Sequence, residues 1–161
     1  MQHKHRRELI IDALAEIFEV LKEPPEKSGY PIQVKTVQKR FAHWTSLDQQ
    51  GALPAILITY GDGGSVPDAD TVGFVDERYP LTIFAVLKDE RDGKPITSRA
   101  SDIHYSIGRL INVNRSLGIE GIVPAKTGIR DWRSSEEKLV DFLLLKFRFV
   151  AVHTYRANEN V

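Results

Sequence analysis

Ser134-Ser-Glu-Glu137-Lys-Leu-Val140-Asp-Phe-Leu-Leu-Leu145-Lys-Phe-Arg-Phe-Val150-Ala-Val-His-Thr-Tyr155 is the stretch whose reading decides the fold. Ser134-Ser-Glu-Glu137 has the form of a capping box, which would open a helix at about Ser135. Beyond it, Leu143, Leu145, Phe147, Phe149 and Ala151 alternate with Leu144, Lys146, Arg148 and Val150. A period of two with an aromatic and β-branched bias belongs to a half-buried strand. The alternation outweighs the cap, and a strand is expected from about Val140 to Tyr155.

The rest of the chain falls into place around that strand. Ala125–Trp132 reads as a strand, and Gly118–Pro124 as a weak strand or turn. Thr97 or Ser98 can cap a helix running to about Val113, with Ile103, Ile107, Leu110 and Ile111 on one stripe. Phe74–Leu87 is an apolar, β-rich run whose Pro80 calls for an edge, a bulge or a bend. Leu53–Tyr60 is a strand that tolerates Pro54 near its start, and Ile32–Val37 a shorter one with Ile32, Val34 and Thr36 on one face. Arg6–Leu21 is an amphipathic helix with Ile10, Ala13, Leu14, Ile17 and Leu21 inward, ended by Pro24-Pro25 and Ser28-Gly29. Residues 61–73, dense in Gly, Asp and Pro, and the charged residues 88–96 are expected as flexible loops.

The order α-β-β-β-α-β-β lacks the alternation of a doubly wound sheet. It predicts one α+β domain over residues 1–161: a mostly antiparallel, strongly twisted sheet with two helices on one face. Phe74–Leu87 and Val140–Tyr155 would each reach about 45–50 Å at about 3.3 Å per residue. Such strands are either broken by bulges or extend as long β-arms.

Composition narrows the function classes. Lys+Arg and Asp+Glu each total 22, so the formal charge is zero, whereas a dedicated nucleic-acid binder carries a basic excess. With no cysteine there is no disulfide, thiolate metal site or cysteine nucleophile. Acids at Asp12, Glu16 and Glu19 interrupt the first apolar run, which reads as a helix and not as a signal peptide. No apolar run approaches the roughly 18 residues of a membrane span, so no membrane partner is expected.

No constellation for chemistry emerges. His3 and His5 read as a solvated start, and His43, His104 and His153 lack metal-ligand spacing. His104 reads as a surface or boundary residue. Gly61-Asp-Gly-Gly64 fits neither a dinucleotide fingerprint nor a phosphate loop. Asp68 and Asp70 lack further ligands nearby, and no Gly-x-Ser-x-Gly elbow anchors a hydrolase triad. The expectation is no enzyme, no metal and no cofactor.

Two patterns point instead to contact surfaces. Phe41-Ala-His-Trp44-Thr-Ser-Leu47 leads through Leu53-Pro54 into the second strand, so Trp44, Leu47, Leu53 and Pro54 are candidate anchors. Between Asp62 and Glu77 there are five acids (Asp62, Asp68, Asp70, Asp76, Glu77) and no base, whereas Lys35, Lys39 and Arg40 cluster at the first strand. An acidic segment of one copy against the basic cluster of the next would be a heterologous contact, which closes into a ring.

Taken together, the amphipathic first helix, the Trp44…Leu47…Leu53-Pro54-Ala-Ile-Leu-Ile58 passage, the Gly/Asp loop, the long strand, the second helix and a final strand ending Val152-His-Thr-Tyr155 resemble the tail terminator (minor tail, tail completion) proteins of long-tailed bacteriophages and prophages. The resemblance implies a virion structural protein assembled in the host cytoplasm. It implies a ring, typically of six copies, that caps the tail tube, stops its growth and joins the head or neck proteins. DNA would pass through without specific binding. Another neck protein of the head–tail junction, or an enzyme or small-ligand module with an unrecognised site, remain as other readings.

Overall fold

The computed structural model of the chain describes residues 6–61, 66–69, 73–90, 93–117 and 126–156. Its elements in chain order are α1 (Arg6–Phe18), a 3-10 turn (Glu19–Lys22), α2 (Pro25–Ser28), β1 (Thr36–Gln38), α3 (Trp44–Gln49), β2 (Ala55–Tyr60), β3 (Val66–Ala69), β4 (Phe74–Lys88), α4 (Ile96–Val113), β5 (Lys126–Lys138) and β6 (Phe142–Arg156). The expected Gly118–Pro124 strand or turn lies outside the described residues.

The deciding stretch is a strand throughout. β6 follows the alternation, and the capping-box residues belong to β5, where Ser134 to Lys138 pair with Phe147 to Leu143 of β6. These side chains are exposed, so the local helix signal has no apolar face to bury and the ladder to β6 overrides it. The expected strand at Ala125–Trp132 therefore runs six residues further, to Lys138.

Among the described residues six strands form one sheet in the order β1-β2-β4-β6-β5, with β3 also paired to β4. Of these pairs β1 and β2 run parallel, and the others are antiparallel. The chain is α+β with a mostly antiparallel sheet, as expected. β3 is an addition: four residues of the expected 61–73 loop are strand.

Sheet pleating separates two apolar layers. Odd positions of β4 and β6 (Leu81, Ile83, Ala85, Leu87; Leu145, Phe147, Phe149, Ala151) join Ile10, Leu14, Phe18 and Leu21 of the N-terminal helical region and Ile103, Ile107 and Ile111 of α4 in the main core. Both long helices thus cover one face. The α4 stripe is as read, whereas the α1 face is centred differently: Ile11, Ala15 and Phe18 are buried, and Ala13 and Ile17 only partly so. On the opposite face, α3 covers a smaller cluster of Leu47, Ala55, Leu57, Val86 and Leu144.

Pro80 is neither at an edge nor at a bulge. β4 and β6 pair without a break from Phe74↔Arg156 to Lys88↔Phe142, including Pro80↔Val150. On the other flank of β4, β2 ends opposite Leu81 and β3 begins opposite Arg78, so Pro80 stands in the gap between them. Its carbonyl accepts from Gly61 N–H at 2.8 Å, and its missing N–H costs no ladder bond there. A Cβ on Gly61 would stand 3.0 Å from the Pro80 carbonyl carbon, tighter than an ordinary contact, so this approach favours glycine. The long β-arms are a four-stranded extension, β3-β4-β6-β5, reaching beyond the end of β2.

Candidate assembly surfaces

The four candidate anchors gather at the start of β2. His43 caps α3 by accepting from Thr45 N–H at 3.3 Å, and its ring lies 3.9 Å from that of Trp44. Leu47 is 2% exposed, whereas Trp44 and Leu53 only flank that cluster. Leu47 is therefore the anchor, and Trp44 covers it from outside. The peptide before Pro54 is cis, and the Pro54 carbonyl accepts from Lys35 N–H at 2.8 Å, fixing β1 beside β2. An ion pair of 2.9 Å between Lys88 and Asp48 ties α3 to the end of β4. The passage from Phe41 to Pro54 is a built corner of the fold, with α3 inside it.

The expected basic cluster is less available than its sequence suggests. Lys35 and Arg40 are exposed, but Lys39 pairs with Asp12 of α1 at 2.5 Å. Of the acidic segment, Asp62 and Asp70 lie outside the described residues. Asp68 stands in β3 opposite Asp76 of β4, and Asp76 accepts from Thr154 Oγ1 at 2.5 Å. β1 lies level with Phe84–Val86 and the acidic row level with Asp76. They are separated along one flank of β4 by about 26 Å, at about 3.3 Å per residue. Asp76 thus stands towards one end of β4 and the expected basic cluster towards the other, with exposed Arg78 two residues from Asp76.

A second cationic surface went unread. Arg133, Lys146 and Arg148 line an open concavity of about 450 Å³ on the sheet face that the long helices leave uncovered. Among the described residues no ion pair holds any of the three. Phe84 forms its apolar wall, with Lys146 Nζ 5.5 Å from the ring centroid and Phe41 edge-on at 5.3 Å. The polar phase of β6 already contains Lys146 and Arg148. What was missing was the neighbour that brings Arg133 beside them.

Two features of the core and its margin were also missed. Trp132 packs on the main core beside Phe147 and over Gly108 of α4. His153 is fully buried, opposite Glu77 and Thr127. Burial, reinforced by the charge of Arg6 and opposed by Glu77, lowers its pKa from 6.5 to about 4 and keeps the imidazole neutral. His104 sits at the core boundary as expected, its Nε2 2.9 Å from Ser134 Oγ.

Among the described residues no three His, Asp or Glu side chains come together as a metal site, and no helix is long and apolar enough to cross a membrane. His3 and His5 lie outside those residues. Compared with family models and with curated proteins, the chain matches none of either.

Proposed function

We propose that this chain is a structural protein of a long-tailed phage particle, whose copies close head to tail into a ring capping the tail tube. The ring ends tube growth and offers its other face to the head or neck proteins, while DNA passes through its opening. One observation carries the reading: Arg133, Lys146 and Arg148 line an open concavity on the sheet face that the long helices leave uncovered, although the chain as a whole is neutral. Among the described residues no ion pair holds these cations, whereas acidic side chains of a neighbour related by rotation can, and repetition of that contact closes a ring. Resemblance in element order, from the amphipathic α1 to the long β6, supplies the place in the particle.

Electron microscopy of particles assembled without this chain tests the proposal. Tubes of unregulated length that fail to join heads are expected. Tubes of normal length joined to heads would contradict it.

A further inference from the structure

On the open sheet face Arg133 of β5 is directly opposite Arg148 of β6, with Thr82 of β4 completing the row. Like charges at directly opposed positions of an antiparallel pair destabilise it. Lys146 stands two residues from Arg148 on the same face, and exposed Arg78 four positions along β4 from Thr82. Glu137, two residues past the Ser135 that faces Lys146, forms no ion pair with it; the Lys146 ammonium lies over the Phe84 ring instead, 5.5 Å from its centroid. The arrangement does not help the isolated chain, and carboxylates from outside would relieve it.

The far end of the same sheet is acidic. Asp89 N–H donates to the Asp141 carbonyl at 2.9 Å, which sets the residues after β4 beside the β5–β6 turn. Asp89, Glu90, Glu136, Glu137 and Asp141 are exposed, and no ion pair holds them among the described residues. Of the cations at this end, Lys88 is held by Asp48 and Lys94 by Asp102. Lys35, Lys138 and Arg99 remain against those five carboxylates, and Arg99 already donates to the Lys88 carbonyl. Leu139 N–H donates to the Phe142 carbonyl at 2.9 Å and closes the turn, at whose apex Val140 is 97% exposed.

Resting on the ring reading, we propose that the β5–β6 turn of one copy, residues 137–141, enters the concavity lined by Arg133, Lys146 and Arg148 of the next. Arg133 and Arg148 are exposed and take the turn's carboxylates in paired N–H to oxygen contacts. Val140 leaves water against the apolar wall that Phe84 gives the concavity. Within one copy Asp141 lies seven positions before Arg148, about 23 Å at about 3.3 Å per residue, too far for the two to neutralise one another. Residues 62–77 make a poorer occupant, because Asp76 already accepts from Thr154 and exposed Arg78 stands two residues away. A protein tip also fits better than a phosphate backbone: the chain as a whole has no basic excess, and a backbone offers nothing apolar to the Phe84 wall.

The chain has no cysteine, so an engineered pair reports this contact alone. Ser135 is exposed, opposite Lys146 and two residues from Arg133. In its own copy it stands level with a position four residues into β6, about 13 Å from the start of that strand, whereas a disulfide spans Cα atoms no more than about 7 Å apart. The full chain carrying Ser135→Cys with Val140→Cys is oxidised at low salt with tail-tube protein and separated under denaturing, non-reducing conditions. Linked species beyond the dimer are expected, whereas either single cysteine stops at the dimer. By light scattering, Arg133→Glu with Arg148→Glu should weaken association about tenfold or more, and adding Asp89→Lys with Asp141→Lys should recover most of it. Circular dichroism checks that each variant folds. A wild type that assembles while the paired cysteines link nothing beyond the dimer would overturn this contact and leave the ring standing. A wild type that never assembles would overturn the ring itself. An arginine-dependent affinity for a short oligonucleotide, with no linkage beyond the dimer, would overturn the protein partner in favour of nucleic acid.

Discussion

His153 links a single buried imidazole to the acid stability of the whole chain. Its pKa is lowered from 6.5 to about 4 in the folded state, so between these values the unfolded chain binds a proton that the folded chain refuses. Stability is therefore unaffected above about pH 6.5, falls as pH drops towards 4, and is lower by up to about 3 kcal/mol below that. His153→Leu should remove this component. Denaturant unfolding of both proteins from pH 7 to pH 4 should show the variant losing less stability than the wild type; parallel curves would contradict the assignment. The cluster under α3 gives a second residue-scale expectation. Leu47→Ala should cost about 2–4 kcal/mol because the side chain is fully enclosed. Trp44→Ala should cost less, on the order of 1–2 kcal/mol, since that ring is only partly buried. A larger loss for Trp44, read from unfolding midpoints at constant slope, would reverse their roles. In the sequence Trp44 drew attention by size, but which of two neighbouring apolar residues points inward depends on where a six-residue helix starts, and so short a helix shows no period.

At the scale of elements, α4 and β5 meet through one missing side chain. A Cβ on Gly108 would stand 3.1 Å from Trp132 Cη2, so the ring occupies the space that any larger residue would need. Gly108→Leu should destabilise by about 1–3 kcal/mol through overpacking. Double substitution with Trp132→Ala should recover part of that loss, and strict additivity would show that the two do not touch. Elements with a sustained period were legible: Leu143–Ala151 gave β6, and Ile103–Ile111 gave the buried stripe of α4. β3 was not legible, since Val66-Pro-Asp-Ala69 has no strand pattern of its own and is extended because β4 offers it a free flank. Nor was the cationic concavity. A bulge between Arg130 and Trp132 shifts the phase of β5, turning Trp132 to the core and Arg133 to the open face. Without the position of that bulge, Arg133 could not be assigned to the side of Lys146 and Arg148.

For the whole molecule, a formal charge of zero conceals a local excess of cations. Arg133, Lys146 and Arg148 collect in the concavity on the open sheet face, where no ion pair holds them among the described residues. Attraction between this concavity and acidic side chains of the next copy would set register and encounter rate, and it weakens as salt shortens the reach of each charge to about 8 Å near 0.15 M. Association should therefore fall with ionic strength while the fold, whose main core is apolar, persists. Mass in solution tests the central claim most directly. Light scattering of the wild-type chain, alone and with tail-tube protein, across protein concentration and salt, should reveal a closed species of about 109 kDa for six copies of an 18.2 kDa chain. That species should be favoured at low salt and by the tube. A strict 18.2 kDa monomer under every condition, including with the tube partner present, would contradict the ring.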